Sequence, residues 1–178
     1  MIILMGIAGS GKGTQGKLLA DKYGFRWVSS GEILRMYATD EQRRRMLDGK
    51  LLDDKEIIQI WDKLLEPMID KDKCILDGFP RTVPQAKWLL DEARKDNFKV
   101  TDVLHLVASR AAVTNRLLER GRQDDQTKVI EARFDEYEKS TLPIIHWFAS
   151  EGVPVVKINA EQSIDAIHQE IVKRLKLS

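Results

Sequence analysis

The apolar run Met1-Ile2-Ile3-Leu4-Met5 leads directly into Gly6-Ile7-Ala8-Gly9-Ser10-Gly11-Lys12-Gly13-Thr14. Nothing else in the chain constrains its fold as tightly. A short apolar run bounded by turn residues reads as a buried strand, and the residues after Gly11 read as a helix. A glycine-rich strand-to-helix turn aims its backbone N–H groups inward as an anion nest. The helix N-terminus adds favourable dipole charge, and glycines let the backbone approach phosphate oxygens without a Cβ in the way. Lys12 then reaches the terminal phosphates of a nucleotide. Gly13, not Ser or Thr, follows Lys12, and the hydroxyl comes one place later at Thr14. GTPases and motors place their magnesium-binding hydroxyl directly after the lysine, so these classes are disfavoured.

The rest of the chain repeats the strand-then-helix alternation. Strands are predicted at 1–5, 25–28, 73–76, 103–107 and 153–158. Helices are predicted at 11–22, 32–37, 54–69, 83–95, 111–119, from about 126 to 149, and 164–175. Asp53 caps the 54–69 helix. Five strands separated by helices imply a parallel sheet with right-handed crossovers. At 178 residues the chain has the length of about one domain. The net charge of +1 argues against a protein that holds nucleic acid by its field. No apolar run is long enough to span a membrane, and the N-terminus lacks the basic flank of a signal peptide. One cysteine, Cys74, leaves no internal disulfide and no cysteine-cluster zinc site. These features together predict a cytoplasmic protein.

Two further clusters carry chemistry. The first is Cys74-Ile75-Leu76-Asp77-Gly78-Phe79-Pro80-Arg81-Thr82, with Gln85 beyond it. An acidic residue at the C-terminal end of a buried strand lies beside the phosphate loop in such a sheet. Asp77 can hold Mg²⁺ there through water, because that ion dehydrates reluctantly. Arg81 offers a planar fork for a phosphate. The second cluster is Arg116, Arg120, Arg122, Asp124, Asp125 and Arg133. Alone it reads as a solvated basic face. Beside a phosphate loop it reads as the set of cations that phosphoryl transfer requires.

Taken together, these stretches resemble the adenylate kinases, within the nucleoside-monophosphate kinase family. Residues 6–15, 29–35, 49–51, 76–82 with Gln85, 116–125 with Arg133, and Asn159-Ala160-Glu161 match in family order over nearly the whole chain. The resemblance implies a three-layer doubly wound α/β domain of the P-loop NTPase type, with a five-stranded parallel sheet of order 2-3-1-4-5. It implies reversible transfer of a phosphoryl group from Mg·ATP to AMP, giving two ADP, by a monomer. Gly9, Ser10, Gly11, Lys12, Gly13 and Thr14 would bind the ATP phosphates, with Arg116, Arg120 and the backbone near Gln162 also on the ATP side. Ser30, Arg35, Lys50, Leu51 and Leu52 would line the AMP site within an insert at 30–52. Gly78, Phe79, Pro80 and Arg81 would hold the AMP phosphate and Gln85 would read the adenine edge. Arg122 and Arg133 would contact AMP-side phosphates and the transferred group. Lys12, Arg81, Arg116, Arg120, Arg122 and Arg133 form the catalytic set, with Asp77 toward the metal and no zinc.

The sequence also departs from the family pattern. Only Gly121 separates Arg120 from Arg122, so the lid is reduced to 120–123. Ser30 and Glu32 stand where Thr and Asp are usual, and Ala8 replaces a common Pro. A UMP or CMP kinase is the nearest rival reading, and Gln85 disfavours it. A catalytically silent nucleotide-binding module is the rival from another class, disfavoured by the arginine set. Trp27, Trp61, Trp88 and Trp147 read as core or packing residues, and Arg43, Arg44 and Arg45 as a solvated helix face, with a lean toward the AMP entrance as the alternative. His105, His146 and His168 are assigned no catalytic role, because the attacking oxygen belongs to an already anionic phosphate.

Overall fold

The computed structural model describes residues 1–48, 52–96 and 98–177. Five parallel strands run β1 (Ile2–Met5), β2 (Arg26–Ser29), β3 (Cys74–Asp77), β4 (Asp102–Val107) and β5 (Val155–Asn159). Their order across the sheet is β2-β3-β1-β4-β5, as predicted. Register pairs Leu4 with Asp77 and with Leu104, so β1 and β3 end side by side while β4 runs on to Val107. The helices are α1 (Lys12–Tyr23), α2 (Ser30–Tyr37), α3 (Asp40–Leu47), α4 (Asp54–Leu65), α5 (Val83–Lys95), α6 (Arg110–Arg120), α7 (Thr127–Glu136), α8 (Leu142–Ser150) and α9 (Ile164–Leu175).

The central strands are apolar on both faces because both faces are covered. On one face Ile3, Met5, Cys74 and Leu76 pack against Trp61, Leu89, Ile144 and Phe148 from α4, α5 and α8. On the other, Ile2, Leu4, Ile75 and Leu104 meet Leu19, Ile167 and Ile171 from α1 and α9. A third cluster, Ile7, Val113, Leu117, Ile130 and Phe134, seats α6 and α7 against the loop after β1. Trp27 lies flat against α1, where a Cβ on Gly16 would come within 2.3 Å of the indole. Cys74 is buried and free. Among the described residues no helix is long and apolar enough to cross a membrane.

Three local features differ from the sequence expectation. The charged stretch after Tyr37 is a true helix, α3, started by a capping box between Thr39 and Gln42. Its arginines are not simply solvated. Arg43 Nε donates to the Ala38 carbonyl at 2.9 Å, and Arg45 pairs with Asp53 and Glu56 of α4. Helix α4 stops at Leu65 rather than 69, because Pro67 has no N–H to continue the ladder. The long helix expected up to 149 is broken by a π-helical turn, Tyr137–Thr141, just before Pro143. The wider turn accommodates a proline that cannot donate to the preceding turn.

Candidate active site

The C-terminal ends of β1, β2 and β3 open into a cleft of about 1090 Å³. That matches or exceeds the volume typical of a site for one drug-sized ligand, roughly 300–1,000 Å³, and leaves room for two nucleotides. Every sequence-predicted site residue within the described region lines it; Lys50 and Leu51 lie outside the described residues.

The loop from Gly6 to Gly11 wraps the floor and feeds α1. Lys12 Nζ folds over it, donating to the carbonyls of Gly6 at 2.8 Å and Ile7 at 2.9 Å. Burial pushes the Lys12 ammonium down to about 8; Asp77 opposes this, and Arg81, Arg120 and Arg133 add to it. Four cationic side chains are thus close enough to feel one another; Asp125 and Asp124 pair with Arg120 and Arg133, and Asp77 is the carboxylate that acts on Lys12. Such a site is electrostatically incomplete without an anion. Ser10 is fully buried beneath the loop, its hydroxyl unpartnered among the described residues. Thr14 is exposed at the first turn of α1.

Asp77 ends β3 beside this loop, its Oδ2 3.6 Å from where a Cβ on Gly13 would stand. Among the described residues its carboxylate accepts no hydrogen bond and faces the cleft. Among them too, no group of three or more His, Cys, Asp or Glu is placed to hold a metal. A single open carboxylate next to a phosphate loop suits magnesium, which keeps several waters and takes its remaining ligands from substrate phosphates.

The wall of the cleft after β3 is built on Gly78. Its φ of +79° is a conformation L side chains rarely adopt, and a Cβ there would lie 2.7 Å from Ser30 Oγ. The bare backbone lets Ser30 Oγ donate to the Gly78 carbonyl at 2.7 Å and Arg81 Nε donate to the same oxygen at 2.8 Å. Phe79 is 1% exposed and stacks on Trp61 with ring centroids 4.5 Å apart, anchoring the wall to the core. Leu52 closes it from the start of α4. Thr82 starts α5, and the Gln85 amide returns to the Arg81 N–H at 2.8 Å. Both ends of that amide are engaged, because its Nε2 donates to Asp54 Oδ1 at 2.8 Å.

The remaining arginines come from α6, α7 and the connector between them. Gly121 caps α6 in the left-handed region, and the connector turns through a bond from Asp125 N–H to the Arg122 carbonyl at 2.9 Å. The buried Asp125 carboxylate takes a two-point contact from Arg120 at 2.8 and 2.7 Å, the Arg122 N–H at 3.1 Å, and Arg133 at 3.4 Å. Arg133 also pairs with Asp124. Burial would raise the Asp125 carboxyl, but these partners hold it below the usual carboxylate value. Burial lowers the Arg122 guanidinium, and Arg120 and Arg35 across the cleft lower it further. Gln162 closes the far end, its amide on the Asn159 carbonyl and Glu170.

Sequence reasoning passed over Glu136, Tyr137 and Thr141, which the fold brings to this cleft together with Trp27, read as a packing residue, and Arg43, read as part of a helix face. Thr141 Oγ1 donates to the Arg81 carbonyl at 3.1 Å, and Tyr137 Oη lies 2.6 Å from His105 Nε2. Burial, with help from Lys157 and Lys12, pushes His105 down to about 4. It is therefore neutral at neutral pH. The π turn marks these residues in retrospect, because such turns concentrate at functional sites.

A phosphate loop, an open carboxylate and a ring of arginines around a two-ligand cleft describe the class of reaction without fixing the lineage. Comparison with known proteins does that. The family model described as "Adenylate kinase" matches residues 4–153. "Adenylate kinase" of Porphyromonas gingivalis is 36% identical over 162 residues, covering 85% of this chain and 84% of that protein. "Adenylate kinase 1" of a Nostoc species is 34% identical over 176 residues, covering 96% and 95%. "Adenylate kinase" of Agrobacterium fabrum is 32% identical over 191 residues, covering 98% and 97%. With residues 4–153 matched by the family model and relatives similar over most of its length, the chain belongs to the adenylate kinase family.

Proposed function

We propose that the protein catalyses reversible transfer of the ATP γ-phosphoryl group to AMP, giving two ADP. The observation that carries this reading is the cleft itself. One cavity of about 1090 Å³ holds the phosphate loop, both walls and all six candidate catalytic cations. In-line transfer between two bound phosphates is mainly positioning and charge stabilisation. Lys12 and the loop from Gly9 to Thr14 take the ATP phosphates, with Arg116, Arg120 and Gln162 toward the donor nucleotide. Ser30, Arg35, Leu52, the backbone from Gly78 to Pro80, Arg81 and Gln85 take AMP. Arg122 and Arg133 act across the gap. Residues 30–52 serve as the acceptor flap and 120–123 as the lid.

Asp77 would hold magnesium through water, where the ion offsets charge on the donor phosphates when bound with ATP. Neutral His105 supports a route without a general base, since the AMP phosphate is already an anionic nucleophile. The reading includes a monomer acting in a reducing cytoplasm on small nucleotides, with no zinc and no nucleic acid partner; the single buried free cysteine, Cys74, supports that compartment.

The test is ADP formation by the purified protein with Mg·ATP against AMP, dAMP, CMP, UMP and GMP. Two ADP per AMP consumed, with AMP giving the highest kcat/KM, is the expected result. A higher kcat/KM with CMP or UMP replaces the acceptor. ATP binding without turnover on any acceptor removes the catalytic reading.

A further inference from the structure

We propose that Asp54 is a positioning residue for acceptor choice: it fixes which way the Gln85 amide faces the cleft, and so makes the site select a 6-amino purine over a 6-oxo purine. The proposal rests on the reading that Gln85 meets the acceptor base.

Asp54 is the first residue of α4, but it is not needed to cap that helix. Asp53 and Glu56 form the capping box, with the Asp53 N–H donating to Glu56 at 3.1 Å. The Asp54 carboxylate instead crosses to α5. Its Oδ1 accepts from Thr82 Oγ1 at 2.6 Å and from Gln85 Nε2 at 2.8 Å. At the other end of the same amide, the Arg81 N–H donates to Gln85 Oε1 at 2.8 Å.

These two anchors leave the amide one orientation. An ionised carboxylate can only accept, and a backbone N–H can only donate. Rotating the amide by half a turn would face oxygen to oxygen at Asp54 and N–H to N–H at Arg81. A buried amide so mismatched leaves polar groups unpaired on both sides, and Gln85 is 2% exposed, with no solvent to repair them. In the fixed orientation the amide keeps one N–H and one oxygen lone pair unused, and Gln85 borders the cleft.

Adenine offers the matching pair, an acceptor at N1 and a donor at the 6-amino group. Hypoxanthine and guanine present the reverse, a donor at N1 and an acceptor at O6. Each would set N–H against N–H and oxygen against oxygen. Sites built on such pairing reject mismatched analogues strongly, because buried groups are left without partners. Cytosine presents adenine's order of donor and acceptor, so Asp54 does not discriminate against it, and exclusion of CMP falls to pocket size.

The experiment compares kcat/KM for AMP and inosine monophosphate, which differ at the 6-position and N1, in wild type, Asp54→Ala, Asp54→Asn and Gln85→Leu. Asp54→Ala is expected to raise KM for AMP, leave KM for ATP unchanged, and lower the AMP preference by about tenfold or more. Asp54→Asn, whose carbonyl oxygen can accept the same two hydrogen bonds, is expected to keep most of the preference. The AMP:CMP ratio stays put in both. A folded Asp54→Ala protein with wild-type preference overturns the proposal. So does Asp54→Asn losing the preference, which keeps the test open if the alanine variant does not fold. If Gln85→Leu leaves the preference intact, the base-contact reading of Gln85 has failed. If Gln85→Leu lowers it and Asp54→Ala does not, only the role of Asp54 is lost.

Discussion

Replacing Asp125 with alanine is expected to damage stability and catalysis together. Its side chain has no solvent exposure and holds Arg120, Arg133 and the Arg122 backbone at once. Removing one partner of a buried pair costs about 3–5 kcal/mol, since the remaining charge is left uncompensated. Here Arg120 is 32% and Arg133 17% exposed. Water therefore screens part of the loss, and the low end, about 3 kcal/mol, applies. For a chain of this size, about 2–4 °C per kcal/mol gives a Tm drop of roughly 6–12 °C. Two of the six cations also lose their aim. If that misplacement raises the transfer barrier by about 2.7 kcal/mol, kcat/KM falls on the order of 100-fold. Thermal denaturation and a coupled ADP assay on Asp125→Ala measure both, with Asp124→Ala as comparator. Asp124 bonds only to Arg133 in this cluster and is expected to lose about 1 kcal/mol at most. A Tm within about 2 °C of wild type with unchanged kcat/KM would refute the view that one carboxylate organises these arginines.

Three other outcomes follow from the same charges and from the short connector. Lys12 sits near 8 in the empty cleft and a bound polyphosphate raises it, so ATP binding takes up protons above about pH 8 and weakens as pH rises further; calorimetry in buffers of different ionisation enthalpy detects this. His105 and His168 are held below their ordinary value of 6.5 chiefly by burial, and His168 has both ring nitrogens unpartnered among the described residues. Their neutral forms are favoured in the folded state, so stability is whole above pH 6.5 and declines below it, for His105 down to about 4; His168→Leu is expected to flatten part of that decline in denaturant titrations. With 120–123 as the proposed lid, little of the donor phosphates would be covered and water would compete as acceptor. ATP hydrolysis without AMP is expected to stand clearly above a Lys12→Met control, and a rate equal to that control removes the idea.

What the sequence revealed was mostly local. The strand before Gly6, the turn that follows and the cap at Asp53 depend on neighbours within a few residues, and they appear where periodicity and turn chemistry place them. Gln85 stood out in the sequence as a candidate base contact, but its partner Asp54 did not, because 31 residues separate them and only the packing of α4 against α5 joins them. Arg45 looked solvated because its carboxylates lie on the next helix. Asp125 was visible as one member of a charged run, yet nothing in the run shows that its side chain is buried while Asp124 keeps some exposure. Such distinctions arise from which face of a turn meets the core, and periodicity does not encode that for a six-residue connector.

The π turn at Tyr137–Thr141 sets a phase. In an α-helix each residue advances the chain by about 100° around the axis. The α8 side of the turn is keyed to the core by Ile144 and Phe148, while the α7 side carries Arg133. Deleting one residue between them would let the ladder close into ordinary helix. The turn so closed would present Arg133 to the cleft at a different angle. Chain length at this joint is therefore a setting of the catalytic geometry in its own right, and it can be altered without changing any residue that touches a nucleotide.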